Sequence, residues 1–267
     1  MTNWYEVPLP SFKNPPVIES ALAVEFPAVT GLNPAALNRL QKVWEDRYPD
    51  LEDRPGTPPT PLHSSGEVLF NFVPQDGGGL RRIWATGRGD GRLVQTQNDR
   101  LILNWRKEAS KGPYPGFNTL LPEFEKIWNE MGEFMEAAGY LPRSPALAEY
   151  TYVNAVPIAP GDSFGDVVLL LTTPGDTVPG VESFTRFQFI RDIHIKDKHP
   201  FEGQVFVQGE PQQYANKRQL VFTVTARLLV GGRPEGPIEG LKAAHRLATL
   251  TFEAVVPEEK RKAWGQQ

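Results

Sequence analysis

The strongest constraint in this sequence is the dipeptide Asn98-Asp99 between two short strand-like segments. Residues 92–97 and 100–106 flank it, and the Asn-Asp dipeptide reads as a two-residue hairpin turn. Such a turn sets the register. Gln97 pairs with Arg100, Gln95 with Ile102 and Leu93 with Asn104, and directly paired residues share a face. One face then carries Gln95, Gln97, Arg100, Asn104 and Arg106, diluted by Leu93 and Ile102. The other carries Val94, Thr96, Leu101, Leu103 and Trp105, the composition of a core. A slip of one residue would exchange the two faces, so both assignments depend on the turn.

An apolar sheet face needs a cover, and the chain supplies helices at intervals. Ile18, Ser20, Leu22, Val24 and Phe26 alternate with Glu19, Ala21, Ala23 and Glu25, which marks a half-buried strand. Asn33 follows as an N-cap and Pro34 as an N1 proline. Leu37, Leu40 and Trp44 give a helix running to about Tyr48. A proline-rich loop with Pro55, Pro58, Pro59 and Pro61 leads to short strands at 68–73 and 82–86. Beyond the hairpin, Phe124, Trp128, Met131 and Met135 form the stripe of a helix over 120–138, with Gly139 at the C′ position.

The second half repeats this order. A strand over 148–156 precedes an ambiguous segment, 163–171, read as a short helix capped by Asp162 or Ser163. Long strands follow at 181–193, 204–212 and 219–230, then a helix over 238–255. The fold class is therefore α+β: antiparallel sheet with helices on one face, in two topologically similar β-α-β(n)-α halves, 1–142 and 143–267. The two halves are expected to pair, with one continuous domain as the alternative. No residue-level repeat accompanies the topological one.

Composition removes several kinds of chemistry. With 267 residues and 40% hydrophobic content the chain can bury a core unaided. It contains no cysteine, which excludes disulfides, thiolate nucleophiles and Cys-ligated zinc or iron–sulfur clusters. No G-x-S-x-G, Walker A or H-E-x-x-H pattern occurs, so no cofactor, metal or catalytic residue is assigned and the reading leans away from an enzyme. Met1 to Lys13 lacks a basic and apolar leader, and no apolar run reaches the roughly 20 residues of a membrane span. A cytoplasmic protein without membrane contact is the expectation.

The polar hairpin face is the candidate binding site: Gln95, Gln97, Arg100, Asn104 and Arg106. Residues 81–111 carry a local excess of five positive charges in a chain of net charge −4. Arginines interleaved with Trp84 and Trp105 suit a phosphate backbone or stacked bases. A solvated face kept soluble by Arg and Gln, or a protein interface, explains the same residues.

Other signals are weaker. His194 and His199, near Asp192 and Asp197, would point to opposite faces of a strand. His245 falls on an apolar helix stripe with Leu241 and Phe252, as a packed core histidine would. His63 lies in the proline-rich loop. Residues 87–91, rich in glycine, join two strands and lack a following helix. Glu19 and Glu25 stand about 20 Å apart on one strand, too far for paired carboxylate chemistry. The charged segment 257–264 reads as a solvated terminal helix, with docking through Trp264 as the alternative.

The stretches Asn14-Pro15-Pro16-Val17-Ile18-Glu19, Leu93 to Arg100, Asn104-Trp105-Arg106-Lys107, Tyr114-Pro115 and Tyr152-Val153-Asn154 together resemble a sporadically distributed family of uncharacterised bacterial proteins of about 250 residues. That family has no established activity, so no site residue follows from it. Its patchy distribution implies an accessory role, such as a non-enzymatic subunit of a bacterial defence or toxin–antitoxin system with a protein partner or a second copy of itself. Nucleic-acid or anion binding through the basic face, and a small-molecule-binding module, are the competing expectations.

Overall fold

A computed structural model describes residues 7–57, 62, 81–140, 144–159, 167–168, 187–193, 201–214, 217–231 and 236–267, with only the backbone described at 187–193, 213, 214 and 217. Among these residues nine strands form one antiparallel sheet: β1 (Val17–Glu25), β2 (Asp50–Pro55), β3 (Arg81–Thr86), β4 (Asp90–Gln97), β5 (Arg100–Ser110), β6 (Leu147–Pro157), β7 (Phe187–Ile193), β8 (Gly203–Tyr214) and β9 (Lys217–Leu229). Their order is β2-β3-β4-β5-β1-β6-β9-β8-β7. Helices α1 (Pro34–Lys42), α2 (Phe117–Ala137) and α3 (Gly236–Val255) pack on the sheet, and α4 (Glu258–Ala263) follows.

The order is symmetric about the seam between β1 and β6. Outward from it lie β5 and β9, then β4 and β8, then β3 and β7. The seam is antiparallel and pairs Ala21 with Thr151. Glu19, two residues before Ala21, opposes Arg106 of β5; Glu149, two residues before Thr151, opposes Arg227 of β9. The topological repeat therefore carries one repeated Glu–Arg pairing, and the two halves share a single sheet.

The hairpin has the register its turn predicts. Gln97 pairs with Arg100, Gln95 with Ile102 and Leu93 with Asn104. Val94, Thr96, Leu101, Leu103 and Trp105 are buried in the core. The turn also docks outward, because Phe26 and Val29 donate backbone N–H groups to the carbonyls of Asp99 and Asn98 at 2.9 Å. Register shifts between Asp90 and Arg92 at Gly91. There φ is +78°, and a Cβ would stand 2.6 Å from the Arg106 carbonyl oxygen, so the bulge requires glycine.

Helix ends follow the sequence signals. Asn33 Oδ1 accepts the Ala36 N–H at 3.0 Å, with Pro34 at N1. Regular helix stops at Lys42 rather than near Tyr48, but turns carry Trp44 and Tyr48 into the core. α2 begins one turn earlier than its stripe suggests, after Gly116 at φ +80°. It ends in a Schellman motif, with Gly139 N–H donating to Glu136 and Tyr140 N–H to Met135. α3 lies close to the sheet at Gly240, where a Cβ would meet Val230 Cγ1 at 2.3 Å and Ala148 Cβ at 2.9 Å.

Strand β2 is absent from the sequence reading, which placed a loop there. Its six residues are all exposed and lack apolar alternation. It forms an edge strand pairing with β3, and its charged Glu52, Asp53 and Arg54 and its Pro55 protect that edge. The expected strand at 68–73 and most of the ambiguous segment 163–171 lie outside the described residues, as do His63, His194, Asp197 and His199. Among the described residues, no helix is long and apolar enough to cross a membrane.

Candidate functional site

The polar hairpin residues share a face as predicted, but the face is not solvated. Gln97 is 0% exposed, Asn104 4%, Arg100 6% and Gln95 7%; only Arg106 is partly open. Buried polar groups need partners, and here they partner one another. Gln95 Nε2 donates to Asn104 Oδ1 at 2.6 Å, and Asn104 Nδ2 donates to Glu19 Oε1 at 2.7 Å. Gln97 binds the backbone of Thr57 through both ends of its amide, each at 2.9 Å.

A second chain of contacts crosses the seam. Arg100 pairs with Asp99 at 3.1 Å and with Glu25 at 3.5 Å. Glu25 also accepts from Arg227 Nη2 at 2.9 Å, and Arg227 Nε lies 2.8 Å from Glu149 Oε2. Arg227 is 2% exposed. Burial pushes the Glu149 carboxyl above its ordinary range, opposed first by Arg227. Burial likewise raises Glu19, against the Asn104 hydrogen bond. Of the two glutamates too far apart along one strand, Glu25 thus meets Glu149 through Arg227, an arginine that spacing could not place, whereas Glu19 pairs with Asn104 instead.

Pairing offsets part of the local basic excess. Arg81 is paired with Asp53, Arg92 with Glu123, Arg100 with Glu25 and Arg106 with Glu108. Most of these acids come from elements distant in sequence. The face works as an internal scaffold joining β4, β5, β1, β6 and β9. Beside it, the Arg54, Arg82 and Arg106 guanidiniums lie 4.9, 5.3 and 5.9 Å from the ring centre of Trp84.

The helix-covered side holds a cavity of about 590 Å³. Its walls come from residues 9–17, the turn leading into α2, β6 and α3. On β6, the alternating residues Tyr150, Tyr152 and Asn154 put polar tips on the core-facing side. Tyr150 accepts or donates a hydrogen bond at 2.9 Å with Tyr114, and Tyr152 does so at 3.0 Å with His245 Nε2. The His245 ring stacks on Phe117 with centres 3.9 Å apart. Burial, and secondarily Arg246, pushes His245 down to about 3. Burial raises all three tyrosines. At neutral pH the site therefore presents a neutral imidazole and protonated phenols.

One polar atom here has no partner. Asn154 is 0% exposed and lines the cavity; its amide nitrogen reaches the Phe222 carbonyl at 3.4 Å, whereas Oδ1 accepts nothing. An orphaned buried acceptor costs about 1–3 kcal/mol. The outer wall is a strap. Its Phe12 bridges to Gln266, while Lys13 and Asn14 N–H groups donate to Gly265 and Trp264 at 3.2 and 3.0 Å. Phe12 packs edge-on against Phe252 at 5.5 Å, and Trp264 lies 5.9 Å from the same ring. Trp264 thus anchors the terminal segment within the chain's own core. No family model, curated protein or solved structure matches this chain.

Proposed function

We propose that this protein is a non-enzymatic small-molecule-binding module whose ligand occupies the cavity between α3, β6 and the strap. The observation that carries this reading is a roomy, aromatic-walled cavity bordered by a fully buried acceptor, Asn154 Oδ1, that has no partner among the described residues. Ligand sites combine an apolar lining with a few converging polar groups in this way. Electrostatics favours binding over proton-transfer chemistry. A general base works best with a pKa near the operating pH, whereas the environment drives His245 far below it and the tyrosines above theirs.

The probe for this reading is N-phenyl-1-naphthylamine, a neutral amine carrying a naphthyl and a phenyl group. It should raise the thermal midpoint of the protein and gain fluorescence on titration. Thr249→Trp, which puts an indole into the cavity, should abolish both effects while preserving cooperative unfolding. Probe binding undiminished in that variant, or no binding to the native chain, would refute the cavity as a ligand site.

A further inference from the structure

The charged side chains lining the cavity have one sign. Among its described lining residues these are Lys13 on the strap and Lys242 on α3; no carboxylate lines it. Lys242 is held at 2.5 Å by Glu239, an exposed partner one turn earlier on α3 that does not itself line the cavity. Exposed pairs of this kind contribute little and exchange readily. The start of α2 opens on the same cavity. Gly116 at its N-cap supplies no side-chain cap, and Gly116, Phe117 and Asn118 are all lining residues. The first N–H groups of a helix carry partial positive charge and have no intrahelical acceptor. His245 and the tyrosines add no negative charge, being neutral at pH 7.

Resting on the cavity reading, we infer that the ligand is an aryl acid. It has an apolar ring body between Phe117, Phe12 and Phe252, an anionic end toward the lysines and the start of α2, and a hydrogen-bond donor that satisfies Asn154 Oδ1. Each part answers a feature already present. The rings match aromatic walls, the anion matches a lining with cations and no acids, and the donor matches the orphaned acceptor. A neutral hydrocarbon would leave Asn154 unsatisfied. A cationic ligand would meet lysines and a positive helix end.

The test compares two probes with the same ring skeleton: 1-anilinonaphthalene-8-sulfonate, an anion, and N-phenyl-1-naphthylamine, its neutral counterpart. Titrations follow fluorescence on the intact chain, with cooperative unfolding checked for each variant because the sulfonate also reports loosened packing. Lys13→Met combined with Lys242→Met should weaken sulfonate binding about fivefold or more, while neutral-probe affinity stays within about twofold. Raising salt should weaken the sulfonate alone. Asn154→Leu should weaken both probes, since each carries an N–H.

Equal binding of both probes, unaffected by the lysine substitutions, would overturn the acid class and leave the cavity reading standing. Sulfonate binding alone surviving Thr249→Trp would likewise overturn only the acid class, whereas binding of neither probe, or of both despite Thr249→Trp, would overturn both readings.

Discussion

Replacing His245 with Phe tests the electrostatics of the cavity most directly. The flat ring on Phe117 is kept and the titrating group is removed. An ordinary histidine titrates near 6.5, and burial lowers His245 to about 3. Between those values the unfolded chain takes up a proton that the folded chain refuses, so stability rises with pH across this window. The contribution is present in full above pH 6.5 and is lost as pH falls toward 3. At 1.36 kcal/mol per unit, the two units between pH 6.5 and 4.5 correspond to about 3 kcal/mol. Because His245 borders a cavity that water can enter, about 2 kcal/mol is a fair working figure. The assay is urea unfolding of both proteins at pH 7.5 and 4.5. The native chain should lose about 2 kcal/mol more than His245→Phe over that interval. Glu19 and Glu149, whose raised values bend the profile the other way, are common to both proteins and cancel. Parallel pH profiles would refute the claim that His245 is buried neutral.

Three other outcomes follow from the geometry. Arg227→Met leaves Glu25 and Glu149 buried without their shared cation and should cost about 3–5 kcal/mol in chemical unfolding; adding Glu25→Gln and Glu149→Gln should restore most of it. Gly240→Val drives side-chain atoms into Val230 and Ala148 and should lower stability by about 1–3 kcal/mol, visible as a reduced thermal midpoint. The paired polar face should bind mixed-sequence single-stranded DNA no more tightly than about 10 μM at physiological salt. Salt-dependent binding tighter than that, weakened by Arg100→Gln and Arg106→Gln, would return the face to the status of a nucleic-acid site.

Local chemistry was legible in the sequence where one turn or one cap decided the outcome. Asn98-Asp99 set the hairpin register, Asn33-Pro34 started α1, and Gly139 ended α2. β2 was not legible, because an exposed edge of acids and Arg has no buried side to impose a period of two. Nor was the burial of Gln95, Gln97, Arg100 and Asn104. Their partners Glu19, Glu25 and Thr57 belong to other segments, so a run that is basic in sequence is paired in space. The cavity draws on residues from 9 to 252, a convergence no spacing rule reaches. Its one local signal lay in β6, where Tyr150, Tyr152 and Asn154 alternate with polar tips on the side that should be core.

The strap closing the cavity is held by backbone bonds to the last residues of the chain, Trp264 to Gln267. Should the proposed ligand fit only behind the strap, occupancy of the cavity and attachment of that tail become two readings of one equilibrium. A molecule that fits only behind a closed strap would slow amide exchange at Lys13, Asn14 and Gln267, whose N–H groups join strap and tail. By the same reciprocity, any protein or protease that pulls the tail away must loosen the hold on whatever lies inside. The tail would then report occupancy to the outside without a movement of the sheet.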